Sequence, residues 1–235
     1  MPPPIQPQQM DGLILAAGEG RRLGLGPKAF LQLAGHTLLA YVAWRLKEFT
    51  DRVVVAAPPE MVERCQTLVP WATVVVGGKS RQESLAILLA QAHAPYVLVA
   101  DVARPFFPPA MVFAMMEAVH RSGATAPFLS SQVPNALASP DGLTTAAIPS
   151  HQLLIIQSPQ LYQRATLQKV YAQAGLENRQ RQSTVELCHA AGVAVAMVAG
   201  EESNIKITTP LDWQMAQTLL LPLLPSLPYG RLPER

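Results

Sequence analysis

The residues best suited to chemistry lie close together near the start of the chain. From Leu13 to Phe30 it reads LILAAGEGRRLGLGPKAF. Gly18, Gly20, Gly24 and Gly26 permit φ > 0 and let backbone N–H groups approach phosphate oxygens. Arg21, Arg22 and Lys28 add positive charge. Triphosphate chemistry needs this combination, because charge on the phosphates must be neutralised as one bond breaks. A plain flexible turn is the alternative, but four glycines and three cations in eleven residues after a buried strand argue against it. A Walker loop needs Gly-Lys-Ser/Thr, whereas Lys28 follows Pro27 and precedes Ala29. The dinucleotide fingerprint G-x-G-x-x-G fails at Leu23, with glycine one residue late at Gly24. The next strand ends in Ala57-Pro58, with no acidic residue for a ribose hydroxyl.

The bulk sequence limits what this loop can serve. The chain has 235 residues, 49% hydrophobic and 14% charged, enough for one domain with a full core. Its net charge of +2 comes from scattered Lys and Arg, which argues against nucleic acid and allows a small anionic substrate. Cys65 and Cys188 match no metal spacing and read as buried thiols in a reducing compartment. The five His residues form no ligand spacing either. MPPPIQPQQM lacks the basic and apolar regions of a signal peptide, and prolines 222 and 225 interrupt the apolar run Leu219–Leu224. A cytoplasmic location without membrane attachment is expected.

Elements that position the loop can be read from periodicity. Residues 1–10 are expected to form a disordered lead. Strands are expected at Gly12–Ala16, Arg52–Ala57, Ala72–Val76, Tyr96–Ala100, Ala124–Phe128, Leu153–Gln157 and Ala194–Val198. Helices are expected at Thr37–Phe49, Pro59–Leu68, Ser80–Ala92, Pro109–Ser122, Pro159–Ala174, Ser183–Ala191 and Pro210–Leu221. Ser80 and Glu83 have the spacing of a capping box. Residues 131–150 read as a loop or protruding arm, and 222–235 as a loose, Pro-rich tail. The alternation predicts an α/β, Rossmann-like three-layer sandwich with a mostly parallel central sheet and that arm. Ligands of such sheets sit beyond the strand carboxyl ends, here the loop after Ala16, the Gly77–Gly78 turn and Asp101.

A-A-G-x-G-x-R followed by P-K resembles the signature of sugar-nucleotide pyrophosphorylases and related nucleotidyltransferases. VVVGGKSRQESL, VLVADVARPF, IIQSPQLY and NIKITTPLDWQMA narrow it, because these blocks are similar to the 2-C-methyl-D-erythritol 4-phosphate cytidylyltransferase family, in its order. The resemblance implies a nucleotidyltransferase domain over 11–221. It implies attack of a substrate phosphate on the α-phosphate of CTP, with release of pyrophosphate, in non-mevalonate isoprenoid precursor synthesis. It puts Ala16, Ala17, Gly18 and Gly20 along the nucleotide, and Arg22 and Lys28 on the triphosphate. Gly78 and Ser84 would contact cytosine, and Arg81 would support their loop. Asp101 would hold Mg²⁺, Lys206 would contact the reacting phosphates, and Arg104 and Ser131 would bind the acceptor. A homodimer through the 131–150 arm is implied as well. Read from the residues alone, Asp101 could instead cap a helix or pair with Arg104, and Lys206 and Arg104 could be solvated charges.

The departures from the family pattern cluster on the acceptor side. An Asp-Thr pair becomes Ser130-Ser131, an Arg is absent from Pro149-Ser150-His151, and T-D-D/E-A becomes Gln182-Ser183-Thr184-Val185. T-P-Q becomes Ser158-Pro159-Gln160, and Ala100 and Ala29 replace a His and a Gln. Arg179 and Arg181 are candidate replacements for the lost cation. Three readings stay open: the same small phosphorylated polyol in a rearranged pocket, another phosphorylated alcohol such as a pentitol phosphate, or nucleotide binding with little turnover.

Overall fold

The computed structural model describes residues 4–18, 20, 22–176 and 181–227. In chain order the first half contains β1 (Met10–Leu15), β2 (Gln32–Leu33), β3 (His36–Thr37), α1 (Leu38–Lys47), β4 (Arg52–Ala57), α2 (Val62–Leu68), β5 (Thr73–Val76), α3 (Arg81–Ala90) and β6 (Tyr96–Asp101). Next come α4 (Pro109–Ala118), β7 (Ala124–Ser130), β8 (Asn135–Ala138), β9 (Thr144–Ile148), β10 (Leu154–Ile156) and β11 (Gln160–Gln163). The chain closes with α5 (Arg164–Leu176), α6 (Thr184–Ala190), β12 (Ala196–Ala199) and α7 (Pro210–Thr218).

Alternation at a period of two creates the layers. Met10, Ile14, Val53, Val55, Leu98 and Ala100 enter one core, with residues of α1, α2, α4 and α7. Leu13, Leu15, Val54, Ala56, Val97 and Val99 enter a second core, with residues of α3, α5 and α6. Strands apolar on both faces need cover on both, which the helices provide. Burying each large aliphatic side chain in these cores contributes about 1.5–3 kcal/mol.

β5, β4, β1 and β6 run parallel in that order, giving the expected mostly parallel sheet. β11 then inserts antiparallel between β6 and β7, β10 pairs antiparallel with β7, and β12 pairs parallel with β7. Since β11 and β6 run in opposite directions, the start of β11 meets the carboxyl end of β6.

Four expectations need correction. Pro159 suggested the first turn of a helix, but Gln160–Gln163 is a strand, because Leu161 and Tyr162 enter opposite cores. The lead is ordered over its described residues: Ile5 is buried, Pro7–Gln9 forms a 3₁₀ turn and Met10 opens β1. Two apolar anchors outweigh the Pro/Gln composition there; residues 1–3 lie outside the described residues. The tail packs Leu224 and Leu227 against the first core, and 228–235 lie outside the described residues. The arm is a hairpin of β8 and β9 rather than a loop, with Leu137 and Leu143 exposed.

Candidate active site

The parallel register aligns the strand ends. Leu15 of β1 is level with Asp101 of β6, and Ala57 of β4 with Val76 of β5. The segments that follow therefore emerge on one edge, around a cleft of about 530 Å³. Ala17, Gly18, Gly20, Arg22 and Lys28 form one wall. Gly78, Lys79, Ser80, Arg81 and Ser84 form another, and Asp101 and Lys206 lie between them. Ala16 is not on the cleft surface; it is buried, and its N–H extends the β1 ladder to the Ala56 carbonyl at 2.9 Å.

The first wall is bent by glycine. Gly20 has φ of +71°, and its carbonyl accepts the Leu23 and Gly24 N–H groups at 2.9 and 3.3 Å. A Cβ at Gly20 would collide with the Gly26 carbonyl. This folds the loop back and brings Lys28, after Pro27, to the same cleft as Arg22. Burial first, then repulsion from Lys206 and Arg22, holds the Lys28 ammonium below its ordinary pKa, with Asp101 and Asp212 opposing. Arg21 lies outside the described residues.

The second wall is fixed by the start of α3. Ser80 Oγ accepts the Glu83 N–H at 3.1 Å, as a helix cap should. The Glu83 carboxylate accepts instead from Lys79 N–H, at 2.8 Å, so the reciprocal half of the capping box is displaced by one residue. Gly78 N–H donates to Ser84 Oγ at 3.1 Å, and a Cβ at Gly78 would collide with Glu83. This close approach joins the two residues expected to read a base.

Asp101 is the charge centre. Its Oδ1 accepts from Arg81 Nε and Nη2 at 3.3 and 3.2 Å, and its Oδ2 from Lys206 Nζ at 2.9 Å. Burial alone would raise its pKa, but Arg81 and Lys206, with Arg104 farther off, hold it well below the usual carboxylate range. Arg81 thus does more than support the Gly78 loop: it spans from α3 to Asp101, and its Nη1 donates to Thr184 Oγ1 at 2.9 Å. Ser158 Oγ, at the start of β11, accepts the Asp101 N–H at 3.2 Å. Asp101 neither caps a helix nor pairs through its carboxylate with Arg104.

The residues expected on the acceptor side are not among those lining this cleft. Arg104 is 8% exposed, and its guanidinium donates to the carbonyls of Asn204 and Ile156 at 2.5 and 3.3 Å. It is not a surface charge; it ties two segments together. Ser131 is buried at the base of the arm, where its Oγ donates to the Val133 carbonyl at 3.0 Å and accepts from Asn135 Nδ2 at 2.8 Å. Arg181 pairs with Glu186 at 3.3 Å and is not on the cleft wall; Arg179 lies outside the described residues. Lys79, Ser158 and Thr184 belong to the site or its support without having been singled out for it. Lys79 and Ser158 stand inside the quoted blocks, but only the fold shows their contacts.

Among the described residues, no group of three His, Cys, Asp or Glu could hold a metal, and Asp101 is the only carboxylate on the cleft wall. A divalent cation therefore fits only one that arrives with phosphate oxygens and water as its remaining ligands. Cys65 and Cys188 are both buried, and burial pushes their thiols up to about 11 and about 12. Among the described residues, no helix is long and apolar enough to cross a membrane.

A glycine-bent, cationic cleft at the carboxyl edge of a mostly parallel α/β sheet defines a protein that binds a polyanion such as a nucleoside triphosphate. The family model for "IspD: 2-C-methyl-D-erythritol 4-phosphate cytidylyltransferase" matches residues 10–221, and the chain belongs to that family. The 2-C-methyl-D-erythritol 4-phosphate cytidylyltransferase of Thermus thermophilus is 42% identical over 214 residues, covering 90% of this chain and 97% of the relative. That of Deinococcus radiodurans is 39% identical over 208 residues, covering 88% of each. A crystal structure of the Thermus thermophilus enzyme superposes with a TM-score of 0.77 at 36% identity, covering 92% of this chain and 99% of the other.

Proposed function

We propose that this chain transfers the cytidylyl group of CTP to 2-C-methyl-D-erythritol 4-phosphate, forming the CDP-alcohol and pyrophosphate in non-mevalonate isoprenoid precursor synthesis. Membership of the family supports it. The observation that carries the chemistry is the convergence of Arg22, Lys28 and Lys206 with Asp101 in one glycine-walled cleft.

In this reading an oxygen of the acceptor phosphate attacks the α-phosphorus of CTP. The new P–O bond forms as the bond to the bridging oxygen of the β-phosphate breaks, and that oxygen leaves with pyrophosphate. The attacking oxygen is already ionised, so no general base is required; positioned charge carries the rate. Arg22 and Lys28 hold the triphosphate, Lys206 faces the reacting phosphates, and Gly78 and Ser84 face the base. Asp101 would hold Mg²⁺ together with the nucleotide's phosphates, and the ion would supply further neutralisation of their charge. Arg81 keeps Asp101 ionised for that purpose.

Incubation with CTP, Mg²⁺ and methylerythritol phosphate, followed by pyrophosphate release, tests the assignment. Stoichiometric release is expected, and a background rate would sink it. Because Arg104 and Ser131 are bonded to protein groups and do not line the cleft, the acceptor panel should include a pentitol phosphate. Turnover with that compound alone would favour the second acceptor, and calorimetric CTP binding without turnover would favour a binding protein. We also assign the exposed β8–β9 hairpin to contact with a second copy, which predicts a dimer by sedimentation at micromolar concentration; a monomer would remove it. A cytoplasmic enzyme is the consistent setting.

A further inference from the structure

Lys206 belongs to no regular element. From Glu201 to Thr208 the chain has neither helix nor sheet ladder, although it carries an ammonium that must meet Asp101 and a reacting phosphate. Something other than secondary structure has to fix its place.

The side chain of Gln157 does much of this. Its Nε2 donates to the Glu201 carbonyl at 2.8 Å and the Asn204 carbonyl at 3.2 Å. Its Oε1 accepts from Glu201 N–H at 3.0 Å and Asn204 Nδ2 at 3.4 Å. One amide thus satisfies both backbone groups of Glu201 and grips both ends of the turn closed by Asn204 N–H on the Glu201 carbonyl. A glutamine amide has the same donor and acceptor as a peptide group, so it can substitute for the missing neighbouring strand. Gln157 is 3% exposed, and its own N–H is bonded to the Pro127 carbonyl at 2.9 Å, next to β10. Two further ties complete the brace. Arg104 donates to the Asn204 carbonyl, and Ile207 N–H donates to the Ala103 carbonyl at 2.9 Å. Lys206 is suspended between these fixed points, two residues after Asn204 and one before Ile207.

We propose that Gln157 is a positioning residue that sets the Lys206 ammonium against Asp101 and the reacting phosphate, a role that rests on the cytidylyltransferase reading for its kinetic consequence. It makes no contact with substrate. It acts through the turn that carries Lys206, and Arg104 shares the load. Leucine at this site keeps the approximate volume and removes both halves of the amide. Glutamate keeps the shape but turns the donor into a second acceptor facing two carbonyl oxygens.

The experiment combines kinetics with a readout that needs no turnover. Gln157→Leu and Gln157→Glu are each expected to lower kcat about 10- to 100-fold with the KM for CTP changed less than threefold, as for loss of an interaction felt in the transition state. In a Lys206→Ala background the same changes should add less than a further threefold, because their target is gone. Independently, brief acetylation followed by mass spectrometry should label Lys206 several-fold faster in the Gln157 variants than in the parent, with exposed Lys79 as the internal standard. Equal Lys206 labelling in a folded variant, or a full additional loss in the Lys206→Ala background, overturns the proposal. If the parent protein itself shows no pyrophosphate release, the functional reading has failed and the labelling comparison alone decides the role of Gln157. If leucine prevents folding, the glutamate variant decides by the same two criteria.

Discussion

The two sides of the cleft are built from different materials. On the nucleotide side, glycines and charged residues stand beyond parallel strands, and Arg22, Lys28, Arg81, Asp101 and Lys206 share one cavity. Away from the cleft lining, the arm from residue 131 to 150, which the family pattern ties to the acceptor, contains a single charged residue, Asp141, and carries an exposed hairpin. The nearest arginine that the family pattern assigns to the acceptor, Arg104, has both terminal nitrogens bonded to carbonyls. The difference separates two ways of holding an anion. One region presents charge on a rigid sheet edge; in the proposed function the other offers an acceptor phosphate only the hydroxyls and peptide groups of a hairpin.

The largest test of that contrast is Lys206→Ala. The proposed function puts its ammonium where charge develops, so kcat should fall about 10²- to 10³-fold. The ion pair with Asp101 is partly exposed on the lysine side, so the unfolding midpoint should move little. A loss confined to the KM for CTP would move Lys206 from the reacting centre to ground-state binding.

Arg104→Met comes next and decides which side that residue serves. Leaving two buried carbonyls without their charged donor should cost about 1.5–3 kcal/mol in denaturant unfolding. The KM for the acceptor should change less than the stability does. A large rise in acceptor KM with unchanged stability would return Arg104 to the pocket and erase the contrast.

Both sides were unequally legible in the sequence, and for different reasons. The loop and Asp101 follow apolar strands, and a parallel sheet leaves its strand-end residues together, so residue type and spacing were enough. Arg104 stands in an equally specific block, but a block gives a residue type and not the direction of its side chain. Here Arg104 stands inside a run from Val102 to Phe107 that is buried throughout, and its guanidinium is bonded to carbonyls of the protein. The strand Gln160–Gln163 was hidden because four residues carry too little alternation to outweigh a proline that resembles a helix start. Ile5 was missed because composition averages over the two apolar residues, Ile5 and Met10, that anchor the segment. Thr184 was out of reach, since its partner Arg81 is 103 positions away.

A smaller effect concerns pH. The Lys28 ammonium is held below its ordinary pKa by burial and by its cationic neighbours. The folded state therefore releases this proton at lower pH than the unfolded state. Below the lowered pKa both states hold the proton and the folded state bears the full penalty of the charge. As pH rises through the lowered value toward about 10.4, that penalty is relieved and this group's effect on stability becomes more favourable. Activity should run the other way over the same interval, because triphosphate binding uses the charged form. An alkaline decline in kcat/KM that shifts upward in Lys28→Arg would show it. A decline unmoved by the substitution would assign the limb to another group.

The smallest expected effect is on the poor side of the comparison. Replacing residues 135–148 with a short Gly-Ser turn removes an exposed hairpin and should change the unfolding free energy of the single subunit by less than about 0.5 kcal/mol, apart from any loss of the proposed dimer contact. CTP affinity by calorimetry should be equally unaffected. A marked loss of CTP binding would show that the arm reaches the nucleotide, and the two sides would then be one.

The ion pairs of Asp101 have a consequence for the order in which the protein is made. Its partner Arg81 is 20 residues upstream, and its partner Lys206 is 105 residues downstream. A chain emerging from the ribosome carries β1, β4, β5, β6, the glycine loop and both Arg81 and Asp101 while its second half, with the α5 and α6 cover of the second core, is still unmade. In the proposed function that half already carries the residues of the phosphate cradle, Arg22 and Lys28, but the Lys206 ammonium arrives only with the closing segment. The order of synthesis thereby separates grip from reaction, and a ribosome-stalled chain ending before Asn204 should retain nucleotide while turning over none.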